Sequence, residues 1–272
     1  MIRWRLRRAL QARARSVPEE LWRLEQLRKG ARRTPGQVVF RGATWEFVDG
    51  PSFYYQVQEL FHDGCYDLEL PTRAPTIVDC GGNMGLSAFR FRELFPGARI
   101  TVFEADPQLA AVLARNLAQV GDPRTVVRAQ AVWIEDGEVA FAASGCDEGR
   151  VELDGELRVP CADVARVCEE AGKVDLLKLD IEGAEYEVIE RLVASGAADR
   201  VLRLVIEFHH RGEDAPRLHL ALAQLAAAGF RYQVSGGRSS AELNSRPSGA
   251  GFRWTRFRGS VCLAYAWRPL IS

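Results

Sequence analysis

The sequence lacks the features that would place the protein in a membrane or outside the cell. Its 272 residues contain no run of about 18 apolar residues, the length that a membrane span requires. The chain begins with basic residues, but no uninterrupted apolar stretch follows them as in a secretory signal. We therefore expect a cytoplasmic protein that does not insert into a membrane.

Paired cysteines and an excess of charge are also missing. The six cysteines form no C-x-x-C pair and are scattered through apolar stretches, as reduced buried thiols are. This pattern indicates neither a disulfide framework nor a zinc site. The formal net charge is zero, so the charge of the whole chain gives no argument for nucleic-acid binding. The ordinary globular composition and the length suit one large domain or a domain with an appendage.

Positive charge is concentrated at the start of the chain. Residues 1–33 contain eleven Arg and Lys against three Glu, a surplus of eight positive charges. Apolar residues between them follow a helical pattern that is interrupted at Pro18. This segment predicts a helical extension, either a lid with a solvated basic face or a surface for peripheral contact with an anionic membrane or partner. We assign residues 1–50 to this helical and hairpin extension and residues 51–272 to the main domain.

From residue 76 onward, predicted strands and helices alternate at the spacing of βαβ units. A third strand is expected over 126–132. The runs 174–180 and 201–208 are almost continuously apolar, as central parallel strands covered on both faces are. Residues 138–160 interrupt the alternation with short strands between glycine-containing turns, which indicates an inserted β segment. The fold class is therefore α/β with a Rossmann-like sheet.

A glycine-rich turn, Cys80-Gly81-Gly82-Asn83-Met84-Gly85, follows the first strand of this alternation. Glycine allows backbone conformations that a Cβ forbids, and it lets a ligand approach the main chain closely. A tight strand-to-helix connection in any α/β protein can also use glycine. The turn alone is therefore weak evidence for a nucleotide-like cofactor.

Acidic residues near the turn refine this prediction. Glu104 ends the second strand 19 residues beyond Gly85, close to the spacing at which an acid binds a ribose diol. Asp79 ends the first strand, and Asn83 occupies a position where a dinucleotide turn would have glycine. A carboxylate there would repel a pyrophosphate and would suit S-adenosylmethionine, which carries an ammonium and a sulfonium. A dinucleotide-dependent oxidoreductase is the competing class, and a non-catalytic cofactor-binding scaffold is a third hypothesis.

The fourth and fifth strands also end in polar residues. Asp180 and Glu182 are two residues apart, as are Glu207 and His209, so each pair can project towards the crevice at the strand ends. Two mechanisms would activate a hydroxyl for methylation. In one, His209 or Asp180 is the general base. In the other, Asp180, Glu182 and Glu207 offer the oxygen ligands that Mg²⁺ prefers. The structural alternatives are a helix-starting acid for Glu182 and a satisfied structural histidine for His209.

Three stretches of the sequence resemble FkbM-type S-adenosylmethionine-dependent methyltransferases: Ile77–Gly85, Val102–Pro107 and Asp175–Glu185. The resemblance covers roughly residues 50–267, and its most specific part is the Lys-x-Asp-x-Glu-Gly-Ala-Glu motif at 178–185. It implies O-methylation of a hydroxyl on a polyketide, sugar, glycan or related natural product. Magnesium is implied only by analogy with related macrolide-sugar O-methyltransferases.

The same resemblance implies a class I methyltransferase sheet of seven strands, with the last strand antiparallel and inserted beside the fifth. It also assigns site residues. The expected cofactor-binding residues are Asp79, Gly81, Asn83 and Gly85 for the methionine part, Glu104 for the ribose, Ala131 for the adenine, and Asp180. From their positions at the strand ends, the expected catalytic residues are Asp180, Glu182 and His209, and Asp180 and Glu207 are the expected ligands of a magnesium ion.

The methyl acceptor is not encoded in a readable pattern. Acceptor contacts are expected from the aromatic run at 53–61, from the insertion at 138–160 and from a loop at 236–258. The aromatic run itself is expected to be core, with one or two side chains exposed to the site. We expect a small hydroxylated substrate, no nucleic-acid partner, and either a monomer or a homodimer.

Overall fold

The computed structural model describes residue 20 and residues 22–122, 124–143, 149–151, 155–209, 215–236 and 261–268. Most of the predicted N-terminal helical extension and of the predicted loop at 236–258 lies outside these residues. Within the described part of the chain, no helix combines the length and the apolar character needed to cross a membrane.

The strands and helices follow one another as the alternation predicts. The strands are β1 (Gly36–Phe40), β2 (Ala43–Phe47), β3 (Thr76–Cys80), β4 (Arg99–Phe103), β5 (Thr125–Arg128), β6 (Ala131–Trp133), β7 (Gly137–Ala142), β8 (Arg150–Val151), β9 (Leu157–Asp163), β10 (Leu176–Leu179), β11 (Arg203–His209), β12 (Arg231–Gly236) and β13 (Val261–Trp267). The helices are α1 (Gly50–Val57), α2 (Leu86–Leu94), α3 (Pro107–Gln119), α4 (Val164–Ala171), α5 (Glu185–Ala194) and α6 (Ala215–Ala227), with a π-helical turn at Gln58–Asp63 and a 3₁₀ turn at Ala197–Arg200.

A seven-stranded sheet forms the centre of the molecule, in the order β12-β13-β11-β10-β3-β4-β5. Within this sheet, neighbouring strands pair in parallel among β11, β10, β3, β4 and β5. In contrast, β13 pairs antiparallel with both β11 and β12. This is the predicted sheet: its last strand, β13, is antiparallel and lies beside β11, which is the fifth of the predicted strands. The strand order reverses between β3 and β10, and such a reversal opens a crevice at the carboxyl ends of the strands.

Both faces of the sheet are covered, which explains why its central strands are almost continuously apolar. Neighbouring residues of one strand enter opposite cores: Ile77 and Leu176 belong to the cluster under α2 and α3, and Val78 and Leu177 to the cluster under α4, α5 and α6. All four are fully buried. Burying one large aliphatic side chain contributes roughly 1.5–3 kcal/mol. These two cores therefore fix the strand ends that form the crevice.

The predicted hairpin before residue 50 forms as the antiparallel pair β1 and β2. Its inward side chains, fully buried Trp45 among them, pack with Phe53 of α1 in the cluster under α2 and α3. Asp49 starts α1 by accepting a hydrogen bond from the backbone N–H of Ser52. The boundary at residue 50 between an extension and a main domain remains a prediction.

The prediction of a single strand over 126–132 is wrong. This segment is divided into β5, the edge strand of the main sheet, and β6, which belongs to a second sheet in the order β6-β9-β7-β8. Alternating apolar residues continue through this segment, so periodicity alone does not reveal the break at residues 129–130. The second sheet contains the short antiparallel strands of the predicted insertion. Its strand β9 extends to Asp163, which caps α4, so that helix begins at Val164.

Candidate active site

A cavity of about 440 Å³ lies at the carboxyl ends of β3, β4, β10 and β11, where the strand order reverses. One wall is the glycine turn after β3, with Glu104 beside it. The opposite wall is formed by the residues that end β10 and β11. Further lining residues come from helix α1, from the π-helical turn and from the inserted sheet with its turn: Tyr55, Gln56, Glu59, Phe141, Gly149 and Val151.

The glycine turn is held by backbone contacts. The N–H groups of Gly81 and Gly82 both donate to the carbonyl oxygen of Phe103, each at 2.9 Å. Gly81 has a φ of +87°, and a Cβ there would lie 1.8 Å from the carbonyl oxygen of Asp180. Glycine is therefore required where the two walls meet. Asn83, also with positive φ, lines the cavity, and its buried Oδ1 atom has no hydrogen-bond partner among the described residues.

Two predicted cofactor residues lie behind this wall. Asp79 is fully buried, accepts a hydrogen bond from the Ser87 hydroxyl at 2.6 Å and lies 3.1 Å from Lys178 Nζ. Burial raises the pKa of Asp79, and the nearby charge of Lys178 opposes that rise. Lys178 neutralises this carboxylate. Asp79 is therefore not the free negative charge that we expected from the sequence to repel a pyrophosphate. Gly85 starts α2 in a left-handed conformation.

Glu104 is placed by backbone N–H groups. Its Oε2 accepts from Asn83 at 2.7 Å, and its Oε1 accepts from Asp106 at 2.9 Å. Burial raises the pKa of Glu104 to about 7, and the two backbone hydrogen bonds oppose this rise. Asp106 caps α3 through the N–H groups of Gln108 and Leu109, as its position before Pro107 predicts. The Glu104 carboxylate is therefore held in place at the cavity.

Three predicted catalytic residues form a cluster on the opposite wall. Nε2 of His209 lies 3.9 Å from Asp180 Oδ1 and 3.5 Å from Glu182 Oε2. One donor atom from each residue can be chosen so that all three lie within 4.8 Å of one another. Glu182 reaches this position with a left-handed backbone, φ +55°, in the turn between β10 and α5. Two carboxylates and an imidazole at this spacing could hold a divalent cation.

Glu185 organises this cluster, although the sequence analysis gave it no separate role. It is fully buried and accepts hydrogen bonds from the N–H groups of Ile181 and Gly183. Its Oε1 also lies 3.0 Å from Nδ1 of His209. The signal for this role was present, because Glu185 closes the Lys-x-Asp-x-Glu-Gly-Ala-Glu motif. Glu185 therefore fixes both the turn that contains Glu182 and the orientation of the imidazole.

The charge state of His209 follows from these contacts. Burial lowers its pKa, but the hydrogen bond to Glu185 and the charges of Glu185, Glu182 and Asp180 outweigh burial and raise the pKa to about 10. Without a bound cation, His209 is therefore an imidazolium at neutral pH. An imidazolium has no lone pair with which to accept a proton.

Glu207 lies beside this cluster, and the hydroxyl of Tyr66 lies between the carboxylates of Glu207 and Asp180. The Tyr66 hydroxyl is 3.3 Å from Asp180 Oδ2 and 3.5 Å from Glu207 Oε2. Burial and the charge of Asp180 raise the pKa of Glu207 to about 8. Tyr66 was not predicted as a site residue, because it lies in the irregular segment after the π-helical turn, where no motif marks it.

Most of the predicted site residues meet at this cavity. Those that line it are Gly81, Asn83, Glu104, Ala131, Asp180, Glu182, Glu207 and His209, whereas Asp79 and Gly85 do not. Their individual contacts with a cofactor, a metal or a substrate remain predictions. The interpretation of the aromatic run is confirmed: Phe53 is fully buried, whereas Tyr55 is 51% exposed and lines the cavity.

The sheet order, the antiparallel β13 and the crevice between β3 and β10 define a class I methyltransferase fold. The family model of the FkbM methyltransferase domain matches residues 79–232, and the chain belongs to this family. The structure is similar to that of an FkbM methyltransferase from Methylobacillus flagellatus KT, with a TM-score of 0.51, 16% identity and coverage of 92% of this chain and 59% of that one. This likeness concerns the fold.

Two curated relatives share sequence with the chain. Methyltransferase sdnD of Sordaria araneosa is 32% identical over 173 residues, which are 49% of this chain and 66% of the relative. The 2-O-methyltransferase NoeI of Sinorhizobium fredii is 33% identical over 140 residues, which are 42% of this chain and 56% of the relative. The matches thus span less than two thirds of either relative.

Proposed function

We propose that this protein transfers a methyl group from S-adenosylmethionine to a hydroxyl of a small natural product, such as a polyketide, sugar or glycan. The observation that carries the proposal is the meeting of two walls in one cavity. Glu104 and the glycine turn form one wall, and the cluster of Asp180, Glu182 and His209 forms the other. The O-methyl specificity in the name of NoeI, a relative, supports the choice of a hydroxyl.

The residues of the first wall suit S-adenosylmethionine. The unpartnered Oδ1 of Asn83 offers an acceptor for the ammonium of the methionine part, beside the main chain of Gly81. Glu104 is held at the cavity for the ribose, and Ala131 lies at the predicted adenine end. When bound, this cofactor supplies an electrophilic methyl group on a positively charged sulfur.

The second wall would activate the acceptor, because an alcohol is a poor nucleophile until a base accepts its proton. Oδ2 of Asp180 is held by Lys178 and Tyr66, while Oδ1 lies on the side of His209. We assign the role of general base to Asp180. The protonated His209, predicted from the sequence as a base, would instead favour the alkoxide that develops during the transfer.

A divalent cation is the second way in which this wall could act, and Mg²⁺ is our proposed ion. Asp180, Glu182 and His209 would hold it, with Glu185 on the other nitrogen of the imidazole, as carboxylates often are in metal sites. The ion would take the place of the His209 proton. The imidazole also suits Mn²⁺ or Zn²⁺. The originally predicted pair of ligands, Asp180 and Glu207, remains a prediction.

The test is transfer of a labelled methyl group from S-adenosylmethionine to a panel of hydroxylated metabolites. We expect Asp180→Asn to reduce the rate by about 10²–10⁴-fold, the usual contribution of a general base. Because the amide keeps an oxygen acceptor for the cofactor, S-adenosylhomocysteine affinity should stay within a few-fold. Asp199→Asn, an exposed change, is the matched control. If Asp180→Asn were as active as the control, the assignment of the base would be wrong. EDTA treatment followed by Mg²⁺, Mn²⁺ or Zn²⁺ addition tests the cation separately.

We propose a cytoplasmic enzyme, monomeric or homodimeric, whose basic N-terminal segment is available for peripheral contacts. Size-exclusion chromatography with light scattering would determine the oligomeric state. Vesicle co-sedimentation would test the peripheral contact, with anionic and neutral lipids compared.

A further inference from the structure

Lys178 lies in β10, and in the mechanism above it only holds Oδ2 of Asp180. Its side chain is almost completely buried. The Nζ atom lies between two carboxylates, 3.1 Å from Asp79 Oδ1 and 3.2 Å from Asp180 Oδ2. A buried ammonium is costly unless such partners surround it. The parallel pairing of β10 with β3 creates this arrangement, because it places Lys178 directly beside Asp79.

The same ammonium also contacts the main chain of the glycine turn. It donates to the carbonyl oxygen of Gly81 at 2.7 Å and lies 3.3 Å from the carbonyl oxygen of Cys80. Three N–H groups therefore face four oxygen atoms. Three of these oxygens belong to the strand end and turn on the cofactor wall, and the fourth belongs to Asp180 on the opposite wall.

We propose that Lys178 is a positioning residue that locks the glycine turn to Asp180, so that the cofactor wall and the acceptor wall keep one relative geometry. This inference rests on the proposed function. The backbone sets the separation of the two strand ends, through the hydrogen bond from the Asp180 N–H to the Cys80 carbonyl oxygen. The ammonium of Lys178 then sets the direction of the Asp180 carboxylate and of the peptide group of Gly81.

A purely structural role, the neutralisation of Asp79, accounts for only part of these contacts. Asp79 does not line the cavity, whereas Lys178, Gly81 and Asp180 all do. A counter-ion for Asp79 alone would not need to reach Gly81 or Asp180. The geometry therefore predicts that loss of the ammonium disturbs cofactor binding and methyl transfer together.

The test compares Lys178→Met with the double variant Lys178→Met/Asp79→Asn. The single variant leaves the buried Asp79 and the half-buried Asp180 without this cation and is expected to lose stability. The double variant also removes the Asp79 charge, which favours folding. Because Asp79 is itself an expected cofactor-binding residue, Asp79→Asn alone is the reference for the double variant. Lys173→Met, a change of the same type at an exposed position in the connection before β10, is the matched control. The readouts are the melting temperature, S-adenosylhomocysteine affinity by calorimetry, and kcat and KM for methyl transfer.

We expect the folded double variant to lose at least about tenfold in S-adenosylhomocysteine affinity and at least about a hundredfold in kcat. Asp180→Asn should differ from this double variant, because it should lower kcat with little loss of S-adenosylhomocysteine affinity. A double variant with both quantities within threefold of wild type, and only a lower melting temperature, would overturn the positioning role. Wild-type protein that neither binds S-adenosylhomocysteine nor transfers methyl groups would instead contradict the proposed function.

Discussion

The two walls of the cavity are held in place by different kinds of contact. On the cofactor wall, backbone N–H groups position Glu104, which accepts hydrogen bonds from Asn83 and Asp106. On the acceptor wall, side chains position one another: His209 lies against Glu185, Glu182 and Asp180. The first wall therefore depends on the path of the main chain, and the second on charges from separate segments. Substitutions should affect the two walls differently.

The largest effect is expected where the two walls touch. In Gly81→Ala, the new Cβ would lie 1.8 Å from the Asp180 carbonyl oxygen, so the backbone must move. We expect a loss of about 3 kcal/mol or more in the free energy of unfolding, together with loss of S-adenosylhomocysteine binding. Chemical denaturation and calorimetry measure these quantities.

Gly121→Ala is the control for this prediction. Gly121 also has a positive φ, +67°, but a Cβ there would meet nothing within 4 Å. Its cost should be about 1–2 kcal/mol, from the left-handed backbone alone. Equal losses in the two variants would show that the walls are not in close contact at Gly81.

A smaller effect is expected for the buried acid of the cofactor wall. Burial raises the pKa of Glu104 from its ordinary value of 4.5 to about 7. Between these values the unfolded chain loses the proton and the folded chain keeps it, so the unfolding free energy falls as pH rises and levels off above about pH 7. The fall from about pH 5 to about pH 7.5 should be about 2 kcal/mol.

Glu104→Gln removes this titration, although it also disturbs the two backbone hydrogen bonds. The useful quantity is therefore the slope of stability against pH rather than stability itself. Denaturation of both proteins over this pH range should give a flatter curve for Glu104→Gln. Parallel curves would contradict the raised pKa of Glu104.

On the acceptor wall, Glu185→Gln should change a charge state. The variant loses the carboxylate that pairs with Nδ1 of His209, so in cation-free protein the pKa of His209 should fall from about 10 towards or below its ordinary value of 6.5. NMR titration of the histidine signals measures this change, with exposed His62 as the internal reference. If Glu185 also orients a metal ligand, cation affinity should fall about 10–100-fold. An unchanged His209 titration would mean that Glu185 does not control this imidazole.

The smallest effect is expected for Tyr66→Phe. The Tyr66 hydroxyl is 3.3 and 3.5 Å from its two carboxylate partners, which are long hydrogen bonds. We expect a loss of about 1 kcal/mol or less in unfolding free energy and a change in kcat of only a few-fold. Denaturation and steady-state kinetics measure both. A hundredfold fall in kcat would assign Tyr66 a direct part in the transfer.

The contrast between the walls also explains what could be predicted from the sequence. The glycine turn, Glu104 and the cap at Asp106 depend on residues close together in the chain, and local patterns reveal them. The order of the main sheet followed from the alternation of strands and helices together with the family resemblance.

The features that were missed depend on distant neighbours. Lys178 and Asp79 are adjacent only because β10 pairs with β3. Tyr66 reaches Asp180 and Glu207 across more than a hundred residues of chain. The break between β5 and β6 was hidden because apolar residues continue through both strands, although the strands belong to different sheets. Periodicity reports burial and does not identify the partner strand.

The most direct test of the account is calorimetric titration of the wild-type protein with S-adenosylhomocysteine and, separately, with NAD. The proposed function predicts binding of one S-adenosylhomocysteine per chain, lost in Gly81→Ala, and no binding of NAD. Binding of NAD without binding of S-adenosylhomocysteine would contradict the central claim that this cavity holds a methyl donor.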